Sequence, residues 1–233
     1  MASAENHLID MLPRRDRTRL LSVCEPVDLT LSEVICEPGK PTRHVYFPRD
    51  SFISLLASVD GVPGVEVGMV GREGMLGVQL ALGVPTVPLH ALVQGQGTAW
   101  RIGAAAFRVE LEKSAAMQRN LGRYVYVLMA QLATSASCLR FHEINPRLAR
   151  WLLMSQDRAH ADSFHMTQQF LAYMLGVRRV GVTEAAGALQ RDNLISYRHG
   201  EMTVLNRPGL EAAACSCYAN DVHTYDSLLA REV

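Results

Sequence analysis

The stretch MTQQFLAYMLGVRRVGVTEAAGAL, Met166 to Leu189, restricts the fold of this chain more than any other. Two short runs of helical periodicity meet at a glycine. In a twenty-residue count from Gln168, position 4 is Leu171, 5 is Ala172, 8 is Leu175, 9 is Gly176, 10 is Val177, 15 is Val182 and 18 is Ala185. Positions 4, 8, 10, 15 and 18 would form the small core between two crossed helices. Position 5 must be small where the helices approach, and position 9 needs a left-handed backbone, which glycine adopts without steric cost. A generic helical hairpin rarely meets both Ala172 and Gly176, so the pattern predicts a helix-turn-helix.

Thr167 falls at the N-cap of the first helix, where its hydroxyl can cap and its backbone can meet a phosphate. The second helix would begin near Arg178 and enter a major groove by its N-terminal end. Arg178 and Arg179 then stand where side chains reach phosphates and base edges, and an arginine fork can bond both O6 and N7 of guanine. Two cations at a helix start oppose the helix dipole, a cost that an anionic partner would offset. The following ISYRH and MTVL read as strands turning at His199-Gly200. This hairpin makes the unit a winged helix, with Arg198 and His199 at the wing tip. From Met166 to Glu201, Arg178, Arg179, Arg191 and Arg198 face Glu184, Asp192 and Glu201, so the local basic excess is small and affinity would rest on a dimer doubling the contacts.

Upstream, from about Val27 to Ile102, short β-rich runs (VDLTLSEVI, HVYFP, FISLLASV, VEVGMV, HALVQ, GTAWRI) alternate with turn signals at PGKP, DGVPG, GREG and QGQG. That punctuation predicts an antiparallel sandwich or barrel. The pattern turns helical from Phe107. Leu121, Val125, Leu128, Leu132 and Leu139, with Ser135 filling the gap, follow a heptad seam. A helix from Ser114 to Arg140 would be ~40 Å long, and a partner chain would cover its stripe; the alternative is that the stripe packs on its own β domain. Asn145-Pro146 starts a further helix, PRLARWLLMSQDR, and AHADSF reads as a polar loop. The organisation is a β domain over 1–113, a dimerisation helix over 114–140 and a winged helix over 145–233.

Net charge is zero, so any nucleic-acid site must be a local patch rather than a property of the whole chain. No apolar run approaches a membrane span and the N-terminus lacks a signal-peptide core, so the cytoplasm is the expected location. The five cysteines, Cys24, Cys36, Cys138, Cys215 and Cys217, include no CxxC. Cys215 and Cys217, two apart on an expected helix, would point in different directions, so ordinary reduced thiols and no metal are expected, with a redox role for Cys215 or Cys217 as the alternative. No GxSxG, HExxH or P-loop occurs. A cupin-like metal enzyme would need more histidines than His44 and His90 in the β region, and His160 and His165 have no third ligand nearby. An enzyme is therefore not expected.

The order of β-rich domain, long seam helix and winged helix resembles the Crp/Fnr family of bacterial transcription regulators. The resemblance covers nearly the whole chain. It is strongest in MTQQFLAYMLGVRRVGVTEAAGALQRDNLIS and moderate in YFP, VGREGMLG and RLARWLL. It implies an α+β chain: an N-terminal eight-stranded jelly roll of the cyclic-nucleotide-binding type, a long helix that makes a homodimer, and a winged helix-turn-helix reading a palindrome in double-stranded DNA. The candidate DNA contacts are Thr167, Arg178, Arg179, Val180, Thr183, Glu184, Arg198 and His199. The candidate dimer contacts are Leu121, Val125, Leu128, Leu132 and Leu139.

Departures from the family pattern refine these expectations. Recognition positions that carry Arg, Glu and Arg in the cyclic-AMP receptor protein are Arg179, Val180 and Glu184 here. Val180 could touch only a thymine methyl and Glu184 could accept from cytosine N4, so the DNA site should differ. Gly181 and Gly187 weaken the helix, and Gly181 would let it approach DNA closely. Gly71, Glu73 and Gly74 stand at the ribose-binding place and Pro88 near the phosphate-binding place of the implied effector pocket. No Arg or Lys lies between Arg72 and Arg101, and a buried phosphate without a cation is costly, so weak or no cyclic-AMP binding is expected. Cys24 and Cys36 are too few for an iron–sulfur cluster, and His44 and His90 are isolated as haem ligands. The cofactor is left unknown. RNA polymerase and an unidentified small-molecule effector remain candidate partners, and a signalling adaptor whose winged helix binds protein remains an alternative.

Overall fold

The structure, a computed structural model, describes residues 5–60, 62–159 and 161–229. His160 lies outside the described residues. Two short helices open the chain, α1 (His7–Asp10) and α2 (Arg14–Leu21), parted where Pro13 interrupts the pattern. Asn6 caps α1 by accepting from the Ile9 amide, and its own amide donates to the Pro48 and Gly74 carbonyls at 2.9 Å each. One buried side chain thus ties the N-terminus to the β domain.

Seven strands follow: β1 (Glu25–Leu29), β2 (Val34–Cys36), β3 (His44–Pro48), β4 (Phe52–Val59), β5 (Val62–Val70), β6 (Leu89–Gly95) and β7 (Gly97–Gly103). They form two antiparallel sheets, ordered β1-β7-β3 and β2-β6-β4-β5. Among the described residues this is seven strands where the resemblance implied eight. Alternation sorts the side chains: Val45 and Phe47 of β3, Ile53 and Leu55 of β4 and Ala91 and Val93 of β6 are buried.

After α3 (Ala104–Glu112) comes the long α4 (Ala115–Phe141), capped by the Ser114 hydroxyl, which accepts from the Met117 amide at 3.1 Å. Its span agrees with the sequence reading to within a residue or so. The helix has three faces. Met117, Leu121, Tyr124 and Leu128 pack on the β domain. A second face meets a C-terminal helix, with the Arg123 guanidinium donating to the Leu228 carbonyl. The third face is open.

The C-terminal half comprises α5 (Ile144–Ala159), β8 (Ser163–His165), α6 (Gln168–Leu175), α7 (Arg179–Arg191), β9 (Ile195–Arg198), β10 (Glu201–Val204), α8 (Arg207–Ala213) and α9 (Ser216–Leu229). The wing is three-stranded, β8-β10-β9. β8 begins within the expected polar loop AHADSF, because SFH is too short to show alternation. Leu148, Leu152, Leu171, Val182, Leu189 and Met202 build the core of this half, which is continuous with Leu56 and Met69 of the β domain. The two halves share buried apolar surface rather than merely abutting.

Candidate nucleic-acid interface

The turn between α6 and α7 has the predicted chemistry. Gly176 adopts φ 63° and ψ 40°, the left-handed conformation that ends α6. Val177 N donates back to the Ala172 carbonyl at 2.9 Å. Leu171, Ala172, Leu175, Val182 and Ala185 are buried where the helices cross. Thr167 caps α6, its hydroxyl accepting from the Phe170 amide at 3.1 Å. Arg147, buried on α5, donates to the Leu175 carbonyl at the end of α6 and so holds the turn to α5.

α7 starts one residue later than expected, with Arg178 at the N-cap in an extended conformation. No side chain caps it, so its first amides are not satisfied by a side chain. Thr167, Arg178, Arg179, Val180, Thr183, Glu184, Arg198 and His199 are all exposed. Gln168, which sequence reasoning passed over, organises part of this face. Its Oε1 accepts from Thr183 Oγ1 at 3.0 Å and from Arg179 Nε at 3.4 Å. Arg179 is itself exposed, and the contact is made through its Nε. At the wing tip, His199 (φ 51°) and Gly200 (φ 84°) are both left-handed, as a type I′ hairpin requires. Tyr197 Oη donates to the Met166 carbonyl at 2.7 Å, fixing the wing beside Thr167.

The two glycines of α7 differ. A Cβ on Gly181 would come within 2.6 Å of Ile144 Cδ1, so this glycine sits against the start of α5. A Cβ on Gly187 would meet only Arg191 Nη1, at an ordinary 3.5 Å. Gly187→Ala should therefore stabilise the protein by about 1 kcal/mol, read as a higher urea midpoint at unchanged m.

A family model for the Crp-like helix-turn-helix domain matches residues 146–213. Across the whole chain, the fold matches a crp/fnr-family protein from Eubacterium rectale with TM-score 0.67 at 13% identity, covering 91% of this chain and 99% of that one. Residues 146–213 thus match a Crp-like helix-turn-helix domain, and the chain as a whole has the fold of solved Crp/Fnr-family proteins. FixK2 from Bradyrhizobium japonicum matches with TM-score 0.65 at 15% identity, over 83% of this chain and 98% of its own. A CRP-family transcriptional regulator from Thermus thermophilus matches with TM-score 0.63 at 20% identity, over 81% and 96%. At such identities the structural likeness speaks for the fold, and the domain match for the helix-turn-helix. No curated protein sequence matches the chain significantly. Among the described residues no helix is long and apolar enough to cross a membrane.

The residues expected around an effector, Gly71, Glu73, Gly74 and Pro88, have other neighbours in the structure. Glu73 accepts from the Gly71 amide at 3.1 Å and pairs with Arg158 of α5 at 2.9 Å. Its carbonyl accepts from Tyr225 Oη of α9 at 3.0 Å. A Cβ on Gly74 would lie 2.1 Å from Tyr124 Oη, so this glycine makes room for α4. Pro88 is exposed and lies outside the cavity of about 220 Å³ that Glu73 lines with Arg72, Tyr124, Arg158, Asp221 and Tyr225. The nearby cations thus come from Arg72 and from a helix 85 residues along the chain, out of reach of a local motif. Both are engaged, Arg158 by Glu73 and Arg72 by His7 Nε2 at 3.0 Å.

The residues expected at the dimer seam are buried or half-buried within their own chain. Leu121 is 2% exposed within its own chain, Val125 and Leu128 pack on the same β-domain core, and Leu132 and Leu139 are half-buried. The face that stands free lies one residue further on: Gly122, Tyr126, Met129, Ala133 and Ala136, all exposed and at heptad spacing. Tyr126 is 61% and Met129 62% exposed, high for apolar side chains in mid-helix.

The cysteines also fall differently from expectation. Cys215 precedes α9 instead of lying on it, and Cys217 belongs to its first turn. Both reach the last turn of α4. Cys215 Sγ is 3.6 Å from Cys138 Sγ, and Cys217 Sγ is 3.5 Å from His142 Nδ1. This donor set was hidden from sequence by the assumption of one continuous helix.

Proposed function

We propose that the protein is a sequence-specific DNA-binding transcription regulator acting as a homodimer on a palindromic site. The observation that carries this reading is the exposed, side-chain-uncapped start of α7 bearing Arg178 and Arg179 beside Thr167. Arg178, Thr167 and the wing residues Arg198 and His199 hold phosphates and set register, while Arg179, Val180, Thr183 and Glu184 face base edges. The pairing surface is the open α4 stripe centred on Tyr126 and Met129, where Gly122 and Ala133 let two helices come close. Two recognition helices then address half-sites about 34 Å apart.

Selection of bound duplexes from a random pool tests this directly, since it reads motif, symmetry and spacing together. Arg179→Ala should weaken binding to the selected site by roughly 1–3 kcal/mol and relax choice at one base pair per half-site. Unchanged discrimination at every position would exclude the assignment.

Gating is proposed as a population shift in how α4 pairs and in how α9 and the Glu73 cavity are occupied. Cyclic AMP is not the expected signal, because both cations near Glu73 already have partners. Calorimetry should show no micromolar binding of cyclic AMP; a clear micromolar isotherm would overturn this part of the reading.

A further inference from the structure

We propose that Cys138, His142, Cys215 and Cys217 bind a thiophilic divalent cation of zinc type, which clamps the end of the long helix to the C-terminal helix. The four donor atoms all lie within 4.8 Å of one another. A tetrahedral site with metal–sulfur bonds near 2.3 Å and a metal–nitrogen bond near 2.0 Å has ligand–ligand edges of about 3.4–3.8 Å. Cys138 to Cys215 at 3.6 Å and Cys217 to His142 at 3.5 Å already match such edges. A disulfide, with sulfurs about 2.05 Å apart, would use two thiols and leave the third and the imidazole without a role. All three cysteines are buried and His142 is half-buried.

Local geometry brings the donors together from two elements. Cys138 and His142 are one turn apart at the end of α4, where the His142 amide still donates to the Cys138 carbonyl at 3.1 Å. Cys215 and Cys217 sit at the start of α9, whose N-terminal amides favour thiolates. Three thiolates and a neutral imidazole around a dication leave one negative charge. Arg147 and Arg150 stand beside it, lining one small cavity with Cys138. Arg150 Nε is buried without a hydrogen-bond partner, which a neighbouring anionic centre would compensate. Binding would release the thiol protons to solvent and form three metal–sulfur bonds and one metal–nitrogen bond, with no redox change.

The site lies at the joint between the two halves of the chain. Cys215 N donates to the Pro146 carbonyl at 3.4 Å, and the next residue, Arg147, holds the end of α6. A cation here would therefore fix the helix-turn-helix against α4.

Cobalt(II) is the probe. Full-length protein, stripped with chelator under reductant, is titrated with cobalt and then with zinc. One equivalent of cobalt should give the intense visible bands of tetrahedral thiolate coordination, and zinc should bleach them. Cys215→Ser should weaken cobalt binding more than about tenfold, while Cys24→Ser with Cys36→Ser should leave it unchanged. The titration of the unaltered chain does not depend on whether a variant folds. A weak octahedral spectrum, no bands at all, unchanged affinity in folded Cys215→Ser protein, or a metal-free Cys138–Cys215 disulfide in freshly purified protein would each overturn the proposal.

Discussion

Met129→Lys should leave a folded monomer that binds a palindromic duplex about 10²–10⁴-fold more weakly than the parent chain. The size of the effect comes from valency. Each winged helix carries only a small basic excess, so one half-site supports little affinity alone. Tethering two through paired α4 helices makes the second contact intramolecular. Met129 is 62% exposed, so lysine there costs the monomer little, whereas in a paired stripe it meets its symmetry mate across an apolar seam. Leu128→Lys is the contrasting variant. Leu128 packs against the β-domain core, so a lysine there should lower the thermal midpoint before it affects assembly. Sedimentation and duplex titration on both variants separate the two faces. A dimeric Met129→Lys protein with parental affinity would remove the stripe from the interface.

That one-residue offset shows where sequence stops being informative. The heptad at Leu121, Leu128 and Leu132 is real, but periodicity reports only that a face is apolar, not what covers it. Here the leucine-rich face covers the chain's own β sandwich. The face left open is built of Gly122, Tyr126, Met129, Ala133 and Ala136, which no hydrophobicity count ranks first. The helix-turn-helix was legible because its constraints are local: Gly176 must turn left-handed within three residues of Leu175 and Val177, and Ala172 must be small. The wing tip was legible for the same reason, since His199-Gly200 encodes its own turn. The Glu73–Arg158 pair and the Cys138–His142–Cys215–Cys217 cluster were not, because each joins residues more than seventy positions apart through packing that no short window contains. Gly181 stood between these cases: its helix-weakening was readable, but its neighbour Ile144 was not.

Glu66 gives the joint between the halves a dependence on pH. On β5, its carboxylate accepts from Trp151 Nε1 of α5 at 2.9 Å and from Ser54 Oγ at 2.5 Å. Its neighbour Val65 lies against Gly176 at the helix-turn-helix corner. Burial of the carboxyl pushes its pKa up to about 7, and the two hydrogen bonds and the charges of Arg158 and Arg150 only partly oppose this. The sign follows from linkage. Between the unfolded value near 4.5 and the folded value near 7, the native state holds a proton that the unfolded state has lost. Stability from this group is therefore complete below about pH 4.5, declines as pH rises through that window and is lost above about 7. Glu66→Gln keeps an oxygen for Trp151 and removes the charge. The variant should match the parent near pH 4.5 and exceed it by about 1–3 kcal/mol at pH 8, allowing for the residue being only half-buried. Urea unfolding across that range measures both slopes. A parent and variant that stay parallel from pH 4.5 to 8 would mean that Glu66 is ionised throughout, and that its contact with Trp151 holds β5 to α5 as a charged hydrogen bond.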